Sequence, residues 1–92
     1  MKKTVLNYTI LIEKELQDDK KILYVAYSPT LGISDFGKST DEASFNIEKA
    51  IEIYIKSLQE LGEPIPKPDS EEYFVTSAKI TFDTPIGNFI FD

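Results

Sequence analysis

The chain has 92 residues, 41% of them hydrophobic, and a formal net charge of −6, and it contains neither histidine nor cysteine. These absences exclude disulfides, thiolate metal sites and catalytic relays that need a histidine base. Every basic residue is a lysine, so we expect no direct sequence-specific DNA binding by this chain, because arginine is the main reader of guanine edges. We expect one cytoplasmic domain over residues 1–92, with no membrane span and no cofactor.

The first part of the chain predicts three strands joined by short turns. The strands show period-two alternation or an enrichment in β-branched and aromatic residues, and a polar hairpin, QDDKK, separates the first two. Pro29 ends the second strand, because proline has no N–H to donate within a sheet. Gly32 follows and is expected to have a positive φ angle. The predicted strands are residues 4–15, 22–28 and 33–38.

A long helix follows the third strand. Ser39 and Glu42 have the spacing of a capping box at its N-terminus, and Gly62 supplies a stop at its C-terminus. Between them, apolar residues recur at spacings of three and four, as expected for a helix with one buried face. This stripe comprises Ala43, Ile47, Ala50, Ile51, Tyr54, Leu58 and Leu61.

The last third of the chain predicts a proline-rich connector over residues 63–70 and C-terminal strands over residues 74–91. Within the latter, residues 74–82 alternate as a fourth strand and residues 89–91 form a short fifth one. The order β-β-β-α-β predicts a two-layer α+β fold, in which three strands form an antiparallel meander and the helix covers one sheet face. A right-handed crossover would place the fourth strand parallel to the first, and the other sheet face stays open.

The residues that could support catalysis are few. Among the clustered carboxylates, only Glu13 and Glu15 would share one side of a strand. We interpret them as the solvated end of that strand. Gly32 and Gly37 lie outside any phosphate-binding loop pattern, so we expect them to shape the chain. A divalent-metal-dependent nuclease that uses the carboxylates is the least favoured hypothesis.

Two features indicate a surface for another macromolecule. Phe45 falls on the polar side of the predicted helix with Lys49, Glu52 and Ile53 around it, which resembles an interface anchor with a charged rim, although a single exposed aromatic residue needs no explanation. The C-terminal run of Phe89, Ile90 and Phe91 would either pair with the fourth strand or add to a neighbouring subunit, and we expect a homodimer or higher homo-oligomer.

Residues 8–68 carry a resemblance to a known family. The strand YTILIEKE, the turn YVAYSPTLG, a helix start with Asp35, Gly37, Ser39 and Asp41, and the segment GEPIPKP occur in the order found in HicB antitoxins. The resemblance implies a degraded ribonuclease H-like fold. It also implies a function without catalysis, in which the protein binds a small basic RNA-cleaving toxin, HicA, and covers its catalytic histidine.

The residues that would contact a toxin are chosen from the sequence pattern alone. The stronger candidates are the helix residues Phe45, Lys49, Glu52 and Ile53. The weaker candidates near the turn are Tyr24, Tyr27 and Asp35. All seven residues are equally candidates for the core or for a dimer contact. The alternative function is an orphan homodimeric structural or regulatory protein with the same fold and no toxin partner.

Overall fold

An antiparallel sheet of three strands, in the order β1-β2-β3, packs with one face against a single long helix in the computed structural model, which describes residues 3–83. The α+β class is therefore confirmed. The second strand and the helix lie where the sequence predicts them, and the third strand ends one residue earlier than predicted. The elements are β1 (Leu11–Leu16), β2 (Ile22–Ser28), β3 (Ile33–Gly37) and α1 (Thr40–Leu61).

β1 begins later than predicted, because β2, the strand with which it pairs, ends there. Leu11 pairs with Tyr27, and β2 ends at Ser28 immediately before Pro29. Residues 4–10 therefore extend past the end of the ladder and are not assigned to a strand, in spite of their alternating pattern. A strand pattern in the sequence becomes a strand only where a neighbouring backbone supplies hydrogen bonds.

The predicted fourth strand is not confirmed. Residues 74–83 belong to no strand of the described chain, and each of them is exposed. The parallel placement against β1 and the ribonuclease H-like fold are consequently not confirmed either. The predicted fifth strand at residues 89–91 lies outside the described residues.

The helix begins and ends with the predicted caps. The Ser39 hydroxyl accepts a hydrogen bond from the Glu42 N–H at 3.0 Å, and the Glu42 carboxylate accepts one from the Lys38 N–H at 3.2 Å. Gly62 ends the helix in the left-handed conformation, with a φ angle of 69°. These contacts satisfy backbone groups that a helix end leaves without partners.

The core is small and lies under the first half of the helix. Ala26 on β2 and the helix residues Ala43 and Ile47 are fully buried, and the residues packed around them are Ile10, Tyr24, Ile33 and Ile51. A helix of 22 residues is about 33 Å long, whereas a strand of seven residues spans about 23 Å. The helix therefore extends beyond the sheet, and the predicted buried stripe fails there: Tyr54 is 37% exposed and Leu61 is 74% exposed.

The backbone of β3 comes unusually close to the beginning of the helix. Gly37 is buried, and a Cβ atom at this position would lie 2.5 Å from the Ala43 backbone nitrogen. The absence of a side chain at Gly37 thus allows the helix to approach the sheet closely. Gly32 has the positive φ angle that the sequence predicts, at 68°.

A substitution at Gly37 tests this close approach. We expect Gly37→Ala to lower the free energy of unfolding by about 1–3 kcal/mol, because the new methyl group forces the helix away from the strand. Urea denaturation measures the change. Gly32→Asn is the matched control, since nothing lies within 4 Å of a Cβ there and asparagine tolerates a positive φ angle. Equal stability of the two variants would contradict the expectation.

Polar contacts of Asp69 fix the proline-rich segment to the chain that precedes β1. The Asp69 carboxylate accepts hydrogen bonds from the Thr9 N–H at 2.8 Å and from the Thr30 hydroxyl at 2.5 Å. The Asp69 N–H donates to the Asn7 carbonyl at 2.8 Å, and the Tyr8 hydroxyl donates to the Pro66 carbonyl at 2.6 Å. The Thr30 hydroxyl and then the Thr9 N–H hold the pKa of Asp69 below the ordinary aspartate value of 3.8.

The lowered pKa of Asp69 gives this attachment a pH dependence with a definite sign. Because the folded-state pKa is the lower one, the stabilisation is complete above the ordinary value of 3.8 and is lost as the pH falls through the folded-state pKa. We expect faster hydrogen exchange at the Thr9 amide as the pH falls through this window, after correction for intrinsic exchange. In Asp69→Asn, which keeps an acceptor but does not titrate, this acid-dependent step should be absent. A step of the same size in the variant would assign it to another group.

Candidate functional site

The outer side of α1 carries a connected group of exposed side chains, here called the helix patch. The Lys49 ammonium lies 5.5 Å from the centroid of the Phe45 ring, and Glu52 is bridged by Lys49 at 3.6 Å and by Lys56 at 3.3 Å. Phe45 is 59% exposed and Ile53 is 67% exposed. The four predicted helix residues therefore lie together. The helix patch consists of Phe45, Lys49, Glu52, Ile53 and Lys56.

The charges of the helix patch are largely satisfied within the helix. The hydrogen bond from Lys56, followed by the charge of Lys49, lowers the pKa of Glu52. Two lysines surround this one carboxylate, so the patch has no excess negative charge to offer a basic partner. Lys56 was not among the predicted site residues, although its spacing of four from Glu52 is the sequence signal for such a pair.

The three weaker candidates do not join the helix patch. Tyr24 packs against the core on the helix side of the sheet. Asp35 pairs with the buried Ala26 and thus belongs to that side too, and its carboxylate accepts a hydrogen bond from the Phe36 N–H at 2.8 Å. Tyr27 lies between two buried residues of β2 and consequently points to the opposite face. The seven predicted residues are therefore divided among three places.

The sheet face opposite the helix, here called the outer face, is the second exposed surface. Residues paired across an antiparallel ladder point to the same side, so the register of the three strands identifies its members. Leu11 is 42% exposed, Tyr27 is 44% exposed and Phe36 is 57% exposed. In the described chain this face has no helix or strand packed over it. The outer face consists of Leu11, Glu13, Glu15, Leu23, Val25, Tyr27, Ser34 and Phe36.

The outer face is acidic as well as apolar. Glu13 pairs with Val25 and Glu15 pairs with Leu23, so both carboxylates stand at its β1 side. Neither side chain forms a hydrogen bond or an ion pair with residues 3–83. Their charge is therefore available to a partner, unlike that of Glu52.

The contribution of Leu11 and Phe36 to this surface was not predicted from the sequence. Their sequence positions do indicate it, because both residues alternate along their strands with residues that face the helix. This alternation identifies a shared surface only when the register shows which residues of the three strands lie side by side.

Residues 3–83 contain no group of three or more acidic side chains arranged to hold a metal ion. No helix in this part of the chain is long and apolar enough to cross a membrane. The predicted oligomer-edge residues Phe89, Ile90 and Phe91 lie outside the described part of the structure.

Two curated proteins are similar to the chain over about three quarters of its length. A UPF0150 protein of Synechocystis sp. is 44% identical over 68 residues, which cover 73% of this chain and 81% of that protein. The chain belongs to the UPF0150 family. A second member, from Thermoplasma acidophilum, is 39% identical over 71 residues, or 76% of this chain and 97% of that protein. No protein-family model and no solved structure matches the chain.

The exposure of the helix patch yields an expectation about stability. We expect Phe45→Ala and Ile53→Ala each to change the free energy of unfolding by no more than about 0.5 kcal/mol, because neither side chain belongs to the core. Ile47→Ala, on the buried side of the same helix, should cost about 2–5 kcal/mol. Urea denaturation compares the three variants. A loss at Phe45 as large as that at Ile47 would show that Phe45 has a structural role.

Proposed function

We propose that this UPF0150 protein is an antitoxin-like binding protein of the cytoplasm, which neutralises a small basic RNA-cleaving toxin of the HicA type by covering its active site. The protein itself performs no catalysis in this proposal. The order of motifs over residues 8–68 supports the assignment, and so does the net charge of −6, because an acidic protein attracts a basic partner.

The observation that carries the proposal is the outer face. It combines exposed apolar side chains with two carboxylates that have no partner within the described chain. Apolar residues at the centre of an interface supply most of the binding energy, while charges at its border steer the partner and speed up association. A toxin surface with lysines or arginines around an apolar centre would complement this arrangement.

The helix patch is the less favourable place for such a toxin. Its carboxylate is already bridged by two lysines, and these lysines would repel a basic surface. The patch remains a candidate for contacts with a neutral or acidic part of a partner. Among the residues chosen from the sequence, Tyr27 is thus the one that we place in the toxin interface.

The resemblance to HicB antitoxins also implies a further strand, in addition to the three strands and the helix. In this proposal, residues 74–82 form a strand beside β1 once the protein is in its functional assembly, and the resulting sheet has the partial ribonuclease H-like arrangement. The alternation of Phe74, Thr76, Ala78, Ile80 and Phe82 supports this extension.

A second candidate function is an orphan homodimeric structural or regulatory protein with the same fold and no toxin. The exposed apolar residues after Tyr73 favour it, because surface of this kind in a small protein is commonly covered by another subunit. The two candidates are separated by the presence or absence of a toxin that the protein binds.

The test uses the product of the adjacent gene, if that product is a small basic protein with one essential histidine. We expect the two proteins to form a complex in which RNA cleavage is suppressed. The double variant Glu13→Lys with Glu15→Lys should bind at least about tenfold more weakly, because it reverses the charge of the outer face. Calorimetry measures the affinity, and an RNA cleavage assay measures the inhibition.

The matched control is Glu60→Lys with Glu63→Lys, which makes the same change in net charge at two exposed side chains away from the outer face. It should bind nearly as well as the unaltered protein. Equal losses in both double variants would show that only net charge matters, and loss confined to Phe45→Ala and Ile53→Ala would place the toxin on the helix patch. Failure to bind any such gene product would leave the orphan homodimer as the function.

A further inference from the structure

The free side of β3 is an edge at which the sheet could be extended by another chain. β3 pairs with β2 on its other side, and no strand lies beyond it in residues 3–83. An edge strand presents N–H and C=O groups with which the strand of another chain can pair. Phe36 is exposed on β3 and would add apolar contact to such a pairing. Whether β3 accepts a strand therefore depends on the state of its backbone groups.

Both backbone groups of Phe36 are already bonded to side chains. The Phe36 N–H donates to the Asp35 carboxylate at 2.8 Å, and the Phe36 carbonyl accepts from the Asn46 side-chain amide at 2.8 Å. In an antiparallel ladder, one residue directs its N–H and its C=O to the same side, either towards its neighbouring strand or away from it. Phe36, whose two groups both bond side chains, is therefore a residue that faces the free edge. At this position the edge is closed.

The positions on either side of Phe36 leave little of the edge open. The N–H of Lys38 donates to the Glu42 carboxylate at 3.2 Å, and the Gly32 N–H donates to the Ser28 carbonyl at 2.8 Å within the turn before β3. Ser34 faces the same way as Phe36, because a strand has a period of two, and it is the position of β3 left for pairing. One residue offers at most two backbone hydrogen bonds, which do not offset the freedom lost on association.

The side chains that close the edge at Phe36 come from two elements. Asp35 belongs to β3 itself, and Asn46 lies in the second turn of α1. The close approach at Gly37 brings this part of the helix beside β3, within reach of the Phe36 carbonyl. The packing that forms the core thus also positions Asn46 at the edge.

Neither Asp35 nor Asn46 is favoured by its own secondary structure. Aspartate is depleted in strands, and asparagine is a weak helix former because its side chain competes for backbone hydrogen bonds. Neither residue belongs to the buried apolar cluster. Their side chains instead make the two contacts that occupy the backbone of Phe36. A role at the edge of the sheet accounts for both residues.

We infer that Asp35 and Asn46 close the β3 edge against the addition of β3 from a second copy of this chain. A strand that approaches this edge finds the backbone groups of Phe36 occupied, and it must displace two hydrogen bonds before it can form its own. Extension of the sheet at β3 is thereby prevented. This inference does not rest on toxin binding.

Opening the edge should make the protein self-associate. In the double variant Asp35→Ala with Asn46→Ala, both backbone groups of Phe36 lose their side-chain partners, and two copies of β3 can pair antiparallel about a two-fold axis. We expect self-association at least about tenfold tighter than that of the unaltered chain. Analytical ultracentrifugation over a dilution series measures both proteins.

The single variant Asn46→Ala keeps the test decisive if the double variant does not fold. Alanine is the best helix former, so this change favours α1 while it frees the Phe36 carbonyl. Because only one of the two backbone groups is opened, we expect a smaller rise in self-association, about threefold or more. Urea denaturation verifies that each variant is folded.

Two controls separate the closed edge from other effects of these substitutions. Asp35→Asn removes the same negative charge as Asp35→Ala but keeps a side-chain oxygen that can accept the bond from the Phe36 N–H. Gln59→Ala removes an exposed amide farther along the same helix. We expect both controls to associate no more than the unaltered chain.

Cross-linking locates the contact, and the chain has no cysteine of its own. Ser34→Cys places an exposed thiol on β3, and a short bismaleimide joins two such thiols when two copies of β3 pair. We expect a cross-linked dimer when Ser34→Cys is combined with Asp35→Ala and Asn46→Ala. At the same protein concentration, Ser34→Cys alone should give little of it.

Four results would overturn the inference. One is a folded double variant, or Asn46→Ala if the double variant is unfolded, that associates no more than the unaltered chain. Another is self-association of Asp35→Asn as strong as that of the double variant, which would make charge the cause. The third is stronger association without the Ser34→Cys cross-link, which would place the contact elsewhere. The fourth is an equally abundant cross-link in Ser34→Cys alone, which would show an open edge in the unaltered chain. Each result can be obtained whether or not a toxin exists.

Discussion

The contact between the first half of α1 and the centre of the sheet is the constraint on which the remaining structure depends. Ala26 and Ala43 are small and fully buried, and Gly37 has no side chain, so the helix lies close to β2 and β3 with Ile47 as the one large residue of the buried cluster. Close packing of this kind is efficient, but it buries little area. A core of this size explains why many large apolar residues of the described chain remain exposed.

The short length of the sheet determines which segments of the chain lie beside this core without pairing as strands. β2 ends before Pro29, so the residues that precede β1 lose their ladder partner, and the proline-rich segment lies beside them instead. The attachment is polar, with one carboxylate, that of Asp69, joining two distant parts of the chain. The bond from the Thr30 hydroxyl is exposed and the bond from the Thr9 N–H is part-buried, and a single hydrogen bond contributes modestly to stability. The same short sheet leaves the end of the helix beyond the strands, where Leu61 is 74% exposed.

Three exposed regions of residues 3–83 differ in physical character. The helix patch has its charges paired within one element, and the outer face has apolar side chains beside carboxylates that have no partner among residues 3–83. Residues 74–83 carry exposed apolar side chains. A charge that is already paired contributes little to a new interface, whereas an unpaired carboxylate can attract a basic surface from a distance. The outer face therefore suits a basic protein better than the helix patch does.

The sequence by itself determined the local features: the capping box at Ser39, the positive φ angle of Gly32, the ends of β2 and the helix with its C-terminal Gly62. Each depends on residues within a few positions of one another. It also identified Phe45 and Ile53 as exposed, because helical periodicity alone assigns them to the polar side. Only the tertiary structure decided that residues 4–10 and 74–82 belong to no strand of the described chain and that Leu11 and Phe36 share a face with Glu13. The physical reason is that strand pairing and register depend on a neighbouring backbone that is distant in sequence, and the alternation of one segment does not specify that neighbour.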